Sequence, residues 1–157
     1  MNSIAKDQNN LGGIAKIWLI PSSLISSLLF DFPFSSPALL DGWQNDAWSF
    51  IPIFQSSSFT QSQEDSSAGT FWENTVTFSI PKITYDSRIF TSAVAFGKWA
   101  VLLLTENNQY LLIGSAENPM RGITKSTSGR DLADLNNIVV TVTGKTTILP
   151  VFIDSPL

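Results

Sequence analysis

Residues 70–114, TFWENTVTFSIPKITYDSRIFTSAVAFGKWAVLLLTENNQYLLIG, decide the fold of this chain. Apolar side chains at Trp72, Val76 and Phe78 alternate with polar neighbours. This period of two predicts a strand with one face in a core and the other in water or against a partner. Pro81 is expected to end the strand, because proline cannot donate a hydrogen bond to a neighbouring strand.

A short helix is predicted after that strand, over residues 87–96. Asp86 is placed to cap its start and Gly97 to close its end. Helical spacing also predicts an apolar face for this helix. The residues expected on that face are Ile89, Phe90, Ala93 and Phe96.

A β-hairpin is predicted next. Residues 99–104 form a continuous apolar run, 106–109 carry the turn residues Glu-Asn-Asn-Gln, and 110–113 return as a second apolar run. Two apolar runs separated by a short polar turn are typical of paired antiparallel strands.

Shorter strand patterns flank this stretch on both sides. They cover 14–20, 123–127, 138–143 and 148–153, and Pro52 marks 43–54 as an edge strand or a bulge. Many short strands, frequent turns and one helix favour an all-β fold. We therefore expect a β-sandwich or partly closed barrel with one short α-helix packed across it.

The chain is predicted to form one domain with two extended parts. Residues 1–13 are polar, end in two glycines and are expected to be a flexible N-terminal arm, with 14–157 as a single β-sandwich domain. Residues 55–69 are rich in Ser and Gln. A segment of that kind is either a long polar loop or a hairpin arm that orders against a neighbour.

Composition argues against several kinds of chemistry. The 157 residues include no cysteine and no histidine, which excludes disulfides, thiolate metal sites and the commonest general base. Charged residues make up 14% of the chain, well below the roughly 25% of an ordinary soluble domain. We expect no catalytic residue, no cofactor and no metal site. The low charge favours a surface covered by neighbouring subunits, and a neutral Ser/Thr-rich β-protein is the alternative.

The charge balance predicts little affinity for nucleic acids or membranes. The net charge is −4, and the nine basic residues are scattered along the sequence. An acidic protein could still surround DNA without holding it. Residues 14–34 are apolar, but Lys16, Pro21 and Pro33 argue against a membrane span.

Interface residues are predicted from the aromatic and polar segments. Trp43 and Trp48 flank a polar turn, and tryptophan is enriched at binding hot spots. The polar segment 55–69 and a later loop supply the others. The predicted interface residues are Trp43, Trp48, Phe59, Glu64, Asp65 and Arg130.

Acidic side chains offer two weaker hypotheses. Asp131, Asp134 and Asn136 could present oxygens to Ca²⁺, but they lack the ordered ligand series of a calcium loop, and turn formation is preferred. A hydrolase that uses carboxylates alone is the second hypothesis. No pair of acids stands in a distinctive context.

Several motifs together resemble those of a known family. They are SIPK at 79–82, NNQYLLIG at 107–114, NPM at 118–120 and TSGRDL at 127–132. In this order the chain resembles small virion proteins of tailed bacteriophages and prophages, in particular those of gut Bacteroidetes, of the tail-tube or tail-ring type. The resemblance covers roughly the C-terminal two-thirds of the chain and rests on structural glycines, prolines and turns.

The resemblance implies a non-enzymatic β-sandwich subunit that closes into a ring, often six-fold (hexameric) in such families, around a DNA channel. Its partners would be copies of itself and other phage tail or connector proteins. DNA would pass through the lumen without specific binding. The protein would belong to the virion, in the phage tail, after assembly in the bacterial cytoplasm. Two other functions stay open: a capsid decoration or head-fibre protein, and a carbohydrate-binding module that uses Trp43 and Trp48.

Overall fold

Two antiparallel sheets make up the fold of the computed structural model, which describes residues 12–25, 42–53, 56–67, 69–129 and 136–153. The strands of these ranges are β1 (Ile14–Pro21), β2 (Trp48–Phe50), β3 (Ser58–Ser66), β4 (Gly69–Pro81), β5 (Trp99–Thr105), β6 (Tyr110–Ile113), β7 (Arg121–Thr127), β8 (Asn137–Thr146) and β9 (Val151–Ile153). The helices are α1 (Trp43–Asp46), α2 (Tyr85–Phe96) and a 3₁₀ turn at Ser22–Leu24.

The strand order confirms the predicted all-β fold with a short helix. The five-stranded sheet has the order β2-β1-β5-β6-β9, and the four-stranded sheet has the order β3-β4-β8-β7. Every neighbouring pair in both sheets is antiparallel. The two sheets face each other across one apolar core, which is the arrangement of a sandwich.

The five-stranded sheet is buried on both faces. Its inner face gives Leu19, Val101 and Leu103 to the core between the sheets. Its outer face forms a second cluster in which Trp18 and Leu102 take part, together with residues from α1 and the 3₁₀ turn. A strand buried on two sides has no place for polar residues, which explains the unbroken apolar run in β5.

The four-stranded sheet is buried on its inner face only. Val76 and Phe78 of β4 point inward, as their alternation predicts, and are fully buried. On the outer face, Thr75 lies opposite Thr143 and Thr77 opposite Thr141 in the register of β4 and β8, while Thr60 of β3 lies opposite Thr75. We call this outer surface the threonine face, formed by Thr60, Thr75, Thr77, Thr141 and Thr143.

Helix α2 starts two residues earlier than predicted and has a different cap. Its N-cap is Thr84, not Asp86. The Thr84 hydroxyl accepts a hydrogen bond from the Ser87 amide at 3.2 Å, and the Ser87 hydroxyl accepts one from the Thr84 amide at 2.7 Å. This reciprocal capping box satisfies two backbone donors, which a carboxylate at Asp86 inside the first turn cannot do.

Gly97 ends the helix as predicted, although for another reason. Its φ is −77°, so it does not adopt the left-handed conformation of a typical glycine cap. A Cβ at this position would lie 2.4 Å from the Trp99 ring. Glycine is required here because the indole packs directly against the backbone.

The apolar face predicted for α2 is partly wrong. Phe90 and Val94 are the buried apolar side chains, whereas Ile89 and Phe96 are 46% and 89% exposed. The Phe90 ring centroid lies 5.4 Å from that of Trp48 and 4.5 Å from that of Phe50, both in β2. The elements that α2 packs against therefore determine which of its faces is buried, and the helical periodicity alone does not determine this.

Val94 docks the same helix on β7. A Cβ on Gly122 would lie 2.2 Å from a Val94 methyl carbon. The Val94 side chain therefore packs directly on the backbone of β7 at Gly122. The Trp99 indole also donates a hydrogen bond to the Val94 carbonyl at 3.4 Å. Because α2 contacts β2 of one sheet and β7 of the other, it closes that side of the sandwich.

Residues 43–54, predicted to be an edge strand or a bulge, form an edge strand only in part. Trp43 begins the one-turn helix α1, and the strand β2 covers only Trp48–Phe50. Gly42 precedes the helix with a φ of +80°. The Trp43 side chain is then placed against the outer face of the five-stranded sheet, where it completes the second apolar cluster.

We expect Gly122→Ala to lower the free energy of unfolding by about 1–3 kcal/mol, because the new methyl group would overlap the Val94 side chain. Gly12→Ala is the control, since nothing lies within 4 Å of a Cβ there. Denaturant unfolding measures both variants. Combining Gly122→Ala with Val94→Ala should cost less than the sum of the single changes, and strict additivity would contradict this contact.

Candidate assembly surface

The β3–β4 hairpin extends beyond the body of the sandwich as an arm. Its register runs from Ser58 opposite Thr77 to Ser66 opposite Gly69. Side chains of β3 from residue 60 to the end of the strand are exposed on both faces. Of the two alternatives for the segment 55–69, the hairpin is therefore the one observed in the described residues 56–67 and 69. We call residues 60–73 the hairpin arm. Its outer part, residues 64–71, reaches past β8, whose pairing with β4 starts at Trp72.

Side chains fix the tip of the hairpin arm. The Thr70 hydroxyl donates to Asp65 Oδ1 at 2.7 Å, and the Gln63 amide donates to the same oxygen at 3.5 Å. The Ser66 hydroxyl donates to the Gly69 carbonyl at 3.0 Å. Gly69 has a φ of +123°, which a residue with a side chain rarely adopts. The tip is thus a defined turn that presents Asp65 beside an exposed Glu64.

A buried polar link holds the base of the arm to the body. Asn74 is fully buried, and its amide donates to the Thr146 hydroxyl at 2.8 Å. That hydroxyl donates in turn to the Ile148 carbonyl at 2.7 Å. The Asn74 Oδ1 atom is buried without a hydrogen-bond partner. Buried amides cost free energy unless they are paired, so Thr146 is the partner that makes Asn74 tolerable.

The predicted interface residues fall into separate places. Glu64 and Asp65 are exposed on the hairpin arm. Phe59 is half-buried and packs against the main core at the base of β3. Trp43 is only 4% exposed. Trp48 is half-buried against Phe90.

Arg130 lies outside the described residues, as do residues 1–11 of the predicted flexible arm. Asp131 and Asp134 lie outside them too. Asn136, the third member of the calcium hypothesis, accepts a hydrogen bond from the Ile83 amide at 3.2 Å through Oδ1. Its side chain therefore fastens a loop, which is the role preferred from the sequence.

Three basic residues surround the exposed side of α2. Lys82 and Lys98 flank the helix, and Arg88 lies on it. All three are exposed, and none forms an ion pair within the described part of the chain. Arg121 and Lys125 of β7 point to the threonine face instead, because they alternate with Gly122, on which α2 packs. We call the exposed side of α2, which packs against β7, the α2–β7 side. Sequence reasoning missed it because only the packing of α2 shows which face of the helix meets solvent.

An exposed apolar stripe runs along the same helix. Tyr85, Ile89 and Phe96 are 80%, 46% and 89% exposed. Their spacing of four and seven residues places them on one face, away from Phe90 and Val94. The helical spacing could have revealed this stripe from the sequence, but not that it faces solvent.

One open recess of about 370 Å³ lies where the base of β3 meets the five-stranded sheet. It is lined by apolar, amide and hydroxyl side chains without a charged group. Its lining residues are Gly13, Ile14, Ser57, Ser58, Phe59, Leu103, Thr105, Asn107 and Leu111. Such a lining offers neither a general base nor an activated nucleophile.

Two further searches concern only the described ranges. These contain no cluster of three or more residues able to hold a metal ion. No helix within them is long and apolar enough to cross a membrane. In comparisons with known proteins, this chain matches no protein-family model, no curated protein and no solved structure.

Thr146→Val should lower the free energy of unfolding by about 1–3 kcal/mol, because it leaves the buried Asn74 amide without its partner. Thr147→Val is the matched control, since the neighbouring Thr147 is exposed and should change stability by less than about 0.5 kcal/mol. Chemical denaturation compares the two variants. Equal unfolding midpoints would show that the link at the base of the arm is energetically unimportant.

Proposed function

We propose that this protein is a non-enzymatic structural subunit of a tailed-bacteriophage particle, which assembles with copies of itself into a tail tube or tail ring around the DNA channel. The observation that carries the proposal is the hairpin arm. Its β3 strand is exposed on both faces over residues 60–66. The phage assignment itself comes from the motifs at 79–82, 107–114, 118–120 and 127–132.

An arm of this kind supports assembly for an energetic reason. An isolated two-stranded ribbon is at best marginally stable in water. Its outer edge also presents unpaired backbone donors and acceptors, which are a template for pairing with another chain. A subunit that keeps a long exposed arm gains stability when the arm is covered by a neighbour.

The sheet topology favours rings or tubes over closed dimers. Strands β3 and β7 are opposite edges of the four-stranded sheet. When the β3 edge of one copy meets the β7 edge of the next, the contact joins two different surfaces. Such heterologous contacts repeat from copy to copy until they close into a ring or continue as a filament.

The number of subunits and the neighbouring proteins remain part of the proposal. Six copies per ring, and contacts to other tail or connector proteins, follow from the resemblance alone. A location in the virion follows from the same source. A capsid decoration or head-fibre protein would use an exposed arm equally well, and location in the particle separates these functions.

The carbohydrate-binding alternative receives no support from its two tryptophans. Trp43 is buried in the second apolar cluster, and Trp48 packs against Phe90. A sugar platform needs an exposed aromatic face, which Trp43 lacks and which Trp48 offers at most in part because it is half-buried. A glycan screen on the purified protein is a direct check of this point.

Electron microscopy and size-exclusion chromatography of the purified protein test the proposal. We expect rings or short tubes with a central channel, and the images give their symmetry. Gold labelling of phage particles should mark the tail. A protein that stays monomeric at high concentration would overturn the proposal, and labelling of the head would favour the decoration alternative.

Shortening the arm should stop assembly without unfolding the subunit. Deleting residues 62–65 and 70–73 together keeps the hydrogen bond from Ser66 to Gly69 at the turn and removes the contacts of Asp65. It removes an even number of residues from each strand, so every remaining side chain keeps its face. We expect a cooperatively folded monomer by circular dichroism and light scattering. Rings formed by this variant at the wild-type concentration would contradict a role for the arm.

A further inference from the structure

The hairpin arm is an acidic surface. Residues 60–73 include Glu64, Asp65 and Glu73 and no lysine or arginine. Glu64 and Asp65 are exposed near the tip, where hydrogen bonds to Asp65 hold the turn in one shape. The arm therefore carries three negative charges on a preformed ribbon, and this limits the conformational entropy that docking would cost.

The α2–β7 side has the opposite character. The exposed cations Lys82, Arg88 and Lys98 lie on or beside α2, and the helix carries one carboxylate, Asp86. The apolar stripe lies on the same helix. Aromatic and apolar groups surrounded by charged ones are typical of protein interfaces. This surface therefore combines exposed apolar area with positive charge.

We propose that the acidic hairpin arm of one copy docks on the α2–β7 side of the next copy. This inference rests on the proposed self-assembly and names the two surfaces that meet. The arm belongs to the β3 edge of the four-stranded sheet, and β7 is its opposite edge. Contact between the two therefore links copies head to tail, with acids of one subunit against cations of the next.

Charge and apolar area together favour a second copy over DNA as the occupant. The cations Lys82, Arg88 and Lys98 are interleaved with the apolar stripe, whereas a phosphate backbone offers nothing apolar to cover it. The arm supplies Phe71 and Trp72 beside its carboxylates, both half-exposed. It can thus match the α2–β7 side in charge and in apolar surface, which steers the encounter and fixes its register.

Paired charge reversals test the contact. One variant carries Glu64→Lys with Glu73→Lys, a second carries Arg88→Glu with Lys98→Glu, and a third carries all four. Each double reversal should raise the subunit concentration needed for half-maximal assembly by about tenfold or more, and the fourfold variant should recover most of that loss. Light scattering measures assembly in low salt.

Two controls complete the comparison. Asp46→Lys with Glu106→Lys makes the same change in net charge as the arm variant at two exposed carboxylates outside both surfaces, and it should assemble like the wild type. Normal assembly of either double reversal, or no recovery in the fourfold variant, would overturn the inference while leaving the ring proposal intact.

A mixture of two variants, each of which lacks one of the two surfaces, tests the docking contact separately from ring formation. The arm-shortened copy keeps its α2–β7 side, and the Arg88→Glu, Lys98→Glu copy keeps its arm, so together they can form only one native contact. We expect a discrete heterodimer by analytical ultracentrifugation. A heterodimer without wild-type rings would support the docking and overturn the ring. Two monomers would overturn the docking.

DNA binding is the competing outcome for the cationic surface. The arm-shortened copy exposes the α2–β7 side permanently and can be titrated with double-stranded DNA in a gel-shift assay. We expect no shift at physiological salt. A shift abolished by Arg88→Glu with Lys98→Glu would identify a nucleic-acid surface and overturn the inference.

Discussion

The body and the arm of this protein share one continuous hydrogen-bonded strand. β4 pairs with β3 from Gly69 to Thr77, and with β8 from Trp72 to Pro81. Residues 72–77 are therefore held between two neighbouring strands, while residues 69–71 are held by β3 alone. Because both parts belong to one strand, the direction of the arm is set by the twist and register of the sandwich.

Helix α2 covers the gap between the two sheets on one side of the sandwich only. Val94 on Gly122 and Phe90 against Trp48 and Phe50 bridge the two sheets there. At the far edge, β3 has no such cover among the described residues and continues into the arm. The two sides of the subunit therefore differ in shape, in charge and in exposed apolar area. That difference is what a head-to-tail assembly requires, whereas a symmetric dimer would need one self-complementary surface.

Most of the fold could be predicted from local sequence because its strands have clear patterns of apolar and polar residues. The alternation in β4 and β8 and the unbroken run in β5 predict elements that the structure contains at nearly the same bounds. The predictions fail where a contact with another element determines which residues are buried. Trp43 looks like a surface residue beside a polar turn, yet α1 folds it onto the five-stranded sheet. Ile89 and Phe96 look like core, yet β2 and β7 receive the other face of α2.

The sequence by itself determined the elements, the absence of cysteine and histidine, and the low charge, since these depend only on which residues are present and how they alternate. Only the tertiary structure decided that residues 58–66 pair with 69–77 as a hairpin and that the apolar stripe of α2 faces solvent beside three cations. Which face of a helix or strand is covered depends on contacts with elements distant in sequence. Local periodicity predicts an amphipathic element but not its neighbours.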